Sequence, residues 1–159
     1  QERPEDAAKH YAALSTLAAD PVMETLTVWD RYPLSHAVHI AERTVSAELA
    51  LARDDHRTAI AALREAVLIE DEIPYDEPPG WHAPVRQTLG VVLLAANQPT
   101  EAEAVYREEL RRNPSNGWSL RGLAESLRAQ KRDDEAAEAE QQLAAAWANA
   151  DVQPVASRI

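Results

Sequence analysis

A pattern of small and apolar residues that recurs along the chain constrains the fold more than any other feature of this sequence. One copy runs from Ala83 to Asn116, and a second begins 34 residues later, at Gly117. The recurring positions of the second copy are Leu123, Ala124, Leu127 and Ala136, which fall where Leu89, Gly90, Leu93 and Ala102 stand in the first. Such a fixed spacing predicts structural units that stack side by side.

A third copy lies upstream of these two, at a longer spacing. It begins at Ile40, 43 residues before Ala83, and its matching positions are Ala47, Ala50, Ala59, Leu63 and Ala66. The nine extra residues are visible as the segment from Pro74 to His82, which is rich in proline and acidic residues. Three copies in phase therefore predict three helix pairs, the first two separated by an insertion.

The central copy resembles the tetratricopeptide repeat (TPR), a unit of about 34 residues that folds as two antiparallel helices. The positions that carry this resemblance are Leu89-Gly90, Leu93, Ala102, Tyr106 and Pro114. The resemblance implies an all-α fold, a TPR-type solenoid of antiparallel helix pairs with about eight helices in this chain. It also implies a non-catalytic scaffold or adaptor that binds a protein or a peptide.

The domain organisation follows from the repeat phase. The predicted divisions are an N-terminal helical pair at 1–35, three TPR-like repeats at 36–151 with an acidic, proline-rich insertion at 70–84, and a C-terminal tail at 152–159. The N-terminal pair carries no repeat signature, and we expect its helices over 5–19 and 22–31. Asp55 is predicted to cap the second helix of the first repeat, and Thr100 with Glu103 forms a capping-box pattern in the central one.

Three further stretches are similar to the C-terminal module of a group of bacterial TPR proteins of unassigned activity. They run from Tyr75 to Gly90, from Asn113 to Leu123, and from Ala146 to Ile159. The similarity implies that the chain ends at its native C-terminus and that further helical repeats precede Gln1. Because the group is named by its repeats, the resemblance supplies no catalytic residue.

Composition and charge exclude several classes of protein. The formal net charge of −11 repels phosphate backbones, so we expect no nucleic-acid partner. No apolar run approaches the ~20 residues that span a membrane, and no secretion signal is visible, so we expect a soluble protein whose compartment and oligomeric state stay open. The chain has no cysteine, no nucleophile elbow and no glycine-rich phosphate loop. We therefore expect neither enzyme activity nor a resident cofactor.

Stacked TPR units form a concave groove that is lined by the first helix of each pair. The repeat phase places eight side chains on this groove, where we expect a protein or peptide partner to bind. They are Thr44, Glu48, Gln87, Val91, Trp118, Arg121, Glu125 and Arg128. Many TPR modules hold the C-terminal carboxylate of a chaperone with lysines and asparagines. None of the first four residues is a lysine or an asparagine, so that clamp is absent.

The insertion has two interpretations. In one, Tyr75, Trp81 and His82 form a recognition loop at the edge of the groove. In the other, Trp81 and the neighbouring prolines pack over the joint between repeats and hold the insertion still. A long loop in a compact domain fits either interpretation.

A metal-binding module is the alternative function that the sequence offers. His36, His39 and Glu42 are spaced three residues apart, which places them near one face of a helix. Imidazole and carboxylate ligands suit a divalent transition metal, and His82 or Glu77 could supply a fourth ligand. The competing interpretation is structural, with His36 at a helix cap, His39 packed and Glu42 solvated. A third possibility is that the chain is the terminal cap of a longer solenoid.

Overall fold

The computed structural model describes residues 4–151 and 156–157. The chain divides into two compact units, Gln1–Val85 and Arg86–Ile159. The described residues form eight α-helices and one two-stranded sheet, which confirms the predicted all-α class. Most of the predicted 152–159 tail lies outside the described residues. Its residues 156 and 157 are the exception.

The first unit begins with a long helix and ends with an irregular segment. Its elements are α1 (Pro4–Ala18), α2 (Val22–Thr25), β1 (Thr27–Val28), β2 (Tyr32–Pro33), α3 (Leu34–Leu51) and α4 (His56–Glu72). Helices α3 and α4 pack as an antiparallel pair along an apolar stripe of α4. The buried residues of this stripe are Ala59, Ala62, Leu63, Ala66 and Val67. Their spacing is that of the core face of an amphipathic helix.

The predicted helix over 22–31 is wrong beyond Thr25, because a β-hairpin takes its place. Trp29 and Asp30 have positive φ angles of 51° and 56°, and the Arg31 N–H donates to the Val28 carbonyl at 3.0 Å. The turn from Val28 to Arg31 has both central residues at positive φ, which matches the twist of an antiparallel hairpin. The β-branched residues before the turn also favour a strand over a helix. Trp29 is consequently 60% exposed at the hairpin tip and is not on a helical core face.

The second unit consists of helices joined by short turns. They are α5 (Val85–Ala95, whose first residue closes the first unit), α6 (Pro99–Arg112), α7 (Gly117–Ala129) and α8 (Asp133–Ala146). Helix α8 ends four residues before the predicted end at Ala150. It buries Ala136, Ala139 and Leu143 and exposes most of its other residues. That distribution is the one expected of an amphipathic helix that packs along one face.

The same turn joins the two helices of each predicted repeat. Asp54, Asn97 and Lys131, which are 43 and 34 residues apart, all have φ near 60°. At each turn the next residue donates its N–H to a carbonyl five positions back, at 2.8 to 3.0 Å. The positive-φ residue itself donates to the carbonyl three positions back, at 2.8 to 3.0 Å. These paired bonds form the Schellman motif that ends many helices, here at the offsets read from the sequence.

Of the two predicted helix caps, the structure has the one at the start of α4 and lacks the one at the start of α6. The Asp55 carboxylate accepts the Thr58 N–H at 3.0 Å, which confirms the predicted cap of α4. The predicted capping box is wrong, because α6 begins at Pro99 and its N-cap, Gln98, makes no side-chain cap bond. Proline suits a first helical position, since its missing N–H is not needed there. Thr100 instead donates to the side chain of Gln130 at 3.2 Å.

Candidate functional site

The candidate site is built around Tyr106, a fully buried residue of α6. Its ring lies against Gly90 of α5 and Gly122 of α7. A Cβ at Gly90 would be 2.3 Å from Tyr106 Cζ, and a Cβ at Gly122 would be 2.1 Å from the same atom. Both distances are far below van der Waals contact, so only glycine lets the ring lie there. The two glycines therefore fix where the Tyr106 hydroxyl is presented.

The hydroxyl of Tyr106 meets the C-terminal segment. Ser157 Oγ lies 2.7 Å from Tyr106 Oη, and Ser157 is only 2% exposed. Burial raises the pKa of Tyr106, and the negative charge of Glu125 adds to this effect, whereas the bond to Ser157 opposes it. The phenol is therefore neutral at physiological pH and able either to donate to a hydroxyl or to accept from one.

A cleft of about 190 Å³ lies beside this pair of hydroxyls. Its lining combines two apolar side chains of α5, one carboxylate of α7 and the C-terminal segment, and consists of Val91, Leu94, Glu125, Ala156 and Ser157. We call the surface of α5 and α7 that carries Val91, Leu94 and Glu125 the α5–α7 face. It offers apolar contact and a carboxylate, and Ser157 of the same cleft bonds the buried Tyr106 hydroxyl.

The structure brings part of the predicted groove set to the α5–α7 face. Val91 and Glu125 line the cleft, and Arg121 Nε donates to Glu125 Oε1 at 2.7 Å. Gln87 is buried and donates to Asn116 Oδ1 at 3.1 Å. Because Asn116 caps α7, the contact of Gln87 is a structural one between two helices.

The other predicted groove residues do not line this cleft. The ring of Trp118 packs edge-to-face on Trp147 with ring centroids 4.9 Å apart, and Arg128 pairs with Glu140 of α8 at 2.6 Å. Thr44 and Glu48 belong to α3 in the first unit, where Thr44 is half-buried and Glu48 exposed. A role in partner binding stays a prediction for all eight residues.

Sequence reasoning missed three residues of the cleft, which are Leu94, Ala156 and Ser157. Leu94 follows Val91 by three positions on the same helix, so helical spacing was a signal that could have identified it. Ser157 carries no comparable signal, because its partner Tyr106 lies 51 positions away. A serine in a terminal segment does not reveal such a contact in the sequence.

Contacts within the first unit hold the irregular insertion. Arg31 donates to the Tyr75 carbonyl at 2.8 Å and pairs with the Asp76 carboxylate at 3.3 Å. A Cβ at Gly80 would lie 2.3 Å from the hydroxyl of the buried Tyr32. These contacts hold the backbone from 75 to 80 within the first unit, and both interpretations of the insertion stay predictions.

The three side chains predicted for recognition differ in exposure. Tyr75 is 80% exposed, and its hydroxyl donates to Glu77 at 2.5 Å. Trp81 is half-buried and its ring centroid is 5.0 Å from that of His82, which is exposed. Their part in recognition stays a prediction.

The predicted metal ligands are not assembled into a site. His36 Nε2 lies 3.2 Å from Glu72 of α4, and the buried Glu42 carboxylate lies 3.4 Å from Arg43. Within residues 4–151 and 156–157, no three His, Asp or Glu side chains are grouped so that they could hold a metal ion. Metal binding by His36, His39 and Glu42 stays a prediction, which a zinc titration of the wild type and of the His36→Ala/His39→Ala variant tests.

A buried carboxylate connects α6 with the start of α8. Glu103 is 8% exposed and accepts from Arg107 Nε at 2.8 Å, from Gln130 Nε2 at 2.8 Å and from Arg132 Nη1 at 2.5 Å. Burial acts to raise the pKa of Glu103, but the three hydrogen bonds outweigh it and lower the pKa. Glu103 is therefore ionised and acts as a structural bridge in the second unit.

Comparison with known proteins identifies the second half of the chain. The family model described as Tetratricopeptide repeat matches residues 88–151, from the first turn of α5 to just past α8. Searches of the curated proteins and of the solved structures give no match. In the described part of the chain, no helix is long and apolar enough to cross a membrane. Residues 88–151 thus match the tetratricopeptide repeat and have the antiparallel helix pairs of that repeat.

Proposed function

We propose that this chain is a non-catalytic binding scaffold that holds a peptide segment of a partner protein on the α5–α7 face. One observation carries the proposal: an irregular segment, Ala156-Ser157, packs beside α5 and α7 and forms one wall of a cleft whose other walls are Val91, Leu94 and Glu125. A surface that accommodates one short segment of irregular chain has the shape and the polar groups to accommodate another.

The chemistry of the face indicates which peptides fit. Val91 and Leu94 favour an apolar side chain, since burying apolar surface is the main favourable term in association. The net charge of −11 favours a neutral or basic segment over an acidic one, whereas the Glu125 carboxylate is already paired with Arg121 at 2.7 Å. The Tyr106 hydroxyl adds a directional contact for a polar group of the peptide. We therefore propose a neutral to basic segment with one apolar anchor.

A selection experiment with a matched pair of variants tests this function. A library of random peptides is selected on the full chain, and the affinity of the selected peptides is measured by fluorescence anisotropy. Val91→Glu places a charge on the apolar wall of the cleft and is expected to weaken binding at least tenfold. Ala104→Glu, at an exposed position of α6, is the control and should bind as the wild type does. Selected peptides that bind Val91→Glu equally well would place the site elsewhere.

A further inference from the structure

We infer that the chain carries an internal ligand for its own binding surface: Ala156-Ser157 occupies the α5–α7 face and excludes other peptides until it is displaced. The inference rests on the proposed function and adds its regulation. We also infer which group the site binds, namely a serine or threonine hydroxyl next to a small residue.

The hydrogen bond between Tyr106 and Ser157 has the properties of a specific contact. Both residues are buried, with 0% and 2% of their surfaces exposed, and their oxygens are 2.7 Å apart. Buried hydroxyls in proteins are nearly always hydrogen-bonded, since a buried hydroxyl without a partner destabilises the folded state. The Tyr106 ring is fully buried and packs directly against Gly90 and Gly122, so its hydroxyl stays at this position. Whatever occupies the face must therefore satisfy it.

The segment fills the site incompletely, which leaves it open to competition. Its two side chains are a methyl and a hydroxymethyl group, and a cleft of about 190 Å³ remains between them and Val91, Leu94 and Glu125. A foreign peptide with the same hydroxyl and a larger apolar neighbour would bury more apolar surface there. Such a peptide has a physical reason to displace the internal segment.

The short connection makes the internal segment an effective competitor. Four residues separate Asp151 from Ala156 in the sequence, and a short tether gives an effective concentration on the order of millimolar. A free peptide of equal intrinsic affinity therefore cannot compete at micromolar concentration. The wild type should discriminate against weak peptides, whereas a chain with a detached segment should not.

The test uses the chain's own segment as the probe. A fluorescein-labelled synthetic peptide with the sequence of residues 150–159 is titrated with the full-length wild type and with full-length Ser157→Glu. The glutamate does not fit a position that is 2% exposed and lies beside Glu125, so it detaches the internal segment. We expect saturable binding to Ser157→Glu at least tenfold tighter than to the wild type. A probe that carries the same Ser157→Glu change should bind neither protein.

Two controls make the outcome decisive. Circular dichroism tests whether Ser157→Glu keeps the helical content of the wild type. Adding Tyr106→Phe to that variant should weaken probe binding severalfold, because it removes one hydroxyl and keeps the ring. A folded Ser157→Glu variant that does not bind the probe, or binds it no better than the wild type does, overturns the inference. Library peptides that depend on Val91 but bind wild type and Ser157→Glu equally would overturn the inference and leave the proposed function standing.

Discussion

The indole ring of Trp147 lies where a side chain on Gly117 would be. A Cβ at Gly117 would be 1.6 Å from Trp147 Cζ3, and the same ring meets Trp118 edge-to-face with the planes at 86°. Trp147 is the C-cap residue of α8, and Gly117 is the first residue of α7. The contact therefore packs the end of α8 against the start of α7.

Replacing Gly117 by alanine should destabilise the second unit. Glycine to alanine in a helix is normally stabilising by about 0.5–1 kcal/mol, but here the new methyl group overlaps the indole, and overpacking of this kind costs about 1–3 kcal/mol. Urea unfolding followed by tryptophan fluorescence measures the change. In a Trp147→Leu background the same substitution should cost much less. A stabilising Gly117→Ala in the wild type would contradict the contact.

Substitution of the two glycines that contact Tyr106 should also destabilise the protein, because the added methyl group would overlap the Tyr106 ring. Gly90→Ala and Gly122→Ala each direct a methyl group into the end of the Tyr106 ring and should destabilise the protein by about 1–3 kcal/mol. Tyr106→Leu removes that end of the ring, so Gly90→Ala should cost less in that background. A double-mutant cycle on unfolding free energies measures this coupling, and strictly additive effects would rule out the clash.

The helix pairs could be predicted from the sequence because their causes are local. Apolar spacing fixes the buried stripe of α4, and a carboxylate before a helix is a strong cap signal, as at Asp55. The hairpin was missed because Met23, Leu26 and Trp29 also fit a helical stripe. Turn chemistry at Trp29-Asp30 and the β-branched residues before it prevailed over that spacing.

The candidate site was only partly predictable, because spacing along a helix does not decide where a long side chain ends. The repeat phase predicts that Arg128 lies on the groove, but it does not predict the ion pair of its guanidinium with Glu140. The contact between Ser157 and Tyr106 joins residues 51 positions apart. The periodicity of the helices does not predict such a contact. The repeat spacing thus placed Val91 and Glu125 among the groove candidates, and both line the cleft. It did not predict that Ala156 and Ser157 lie beside them.

The buried carboxylate of Glu103 should make the second unit sensitive to acid. Its pKa is lowered in the folded protein from the ordinary 4.5, so the folded state binds the proton less readily than the unfolded chain does. The stabilisation from Glu103 is therefore complete above about pH 4.5 and is lost as the pH falls through the lowered folded value. Unfolding should become easier across that acidic range.

Replacing Glu103 by glutamine isolates this effect. The variant should be less stable at pH 7 by about 1.5–3 kcal/mol, the usual worth of hydrogen bonds to a charged group. Its deficit relative to the wild type should shrink as the pH is lowered from 5 to 3. Thermal melts at several pH values measure both changes, with Glu138→Gln at an exposed position of α8 as the control. A deficit that is constant with pH would mean that the charge of Glu103 contributes nothing.

Arg31 should protect the insertion in the first unit from cleavage by a protease. Its guanidinium holds the Tyr75 carbonyl and the Asp76 carboxylate, while the Tyr75 side chain is 80% exposed and open to chymotrypsin. A protease needs a locally opened backbone, so removing these contacts raises the population that it can cleave. Arg31→Ala should be cut at Tyr75 severalfold faster, although an ion pair this exposed is worth only about 0–1 kcal/mol of global stability.

Limited proteolysis followed by mass spectrometry measures the cleavage rate, with Arg53→Ala at an exposed position after α3 as the matched control. Faster cleavage with an unchanged melting temperature would mean that Arg31 holds the segment locally, since only local opening is affected. An equal cleavage rate in both variants would show that Gly80 and Tyr32 suffice to hold it. In that case Gly80→Ala, whose methyl group would overlap the Tyr32 hydroxyl, should be the substitution that releases the segment.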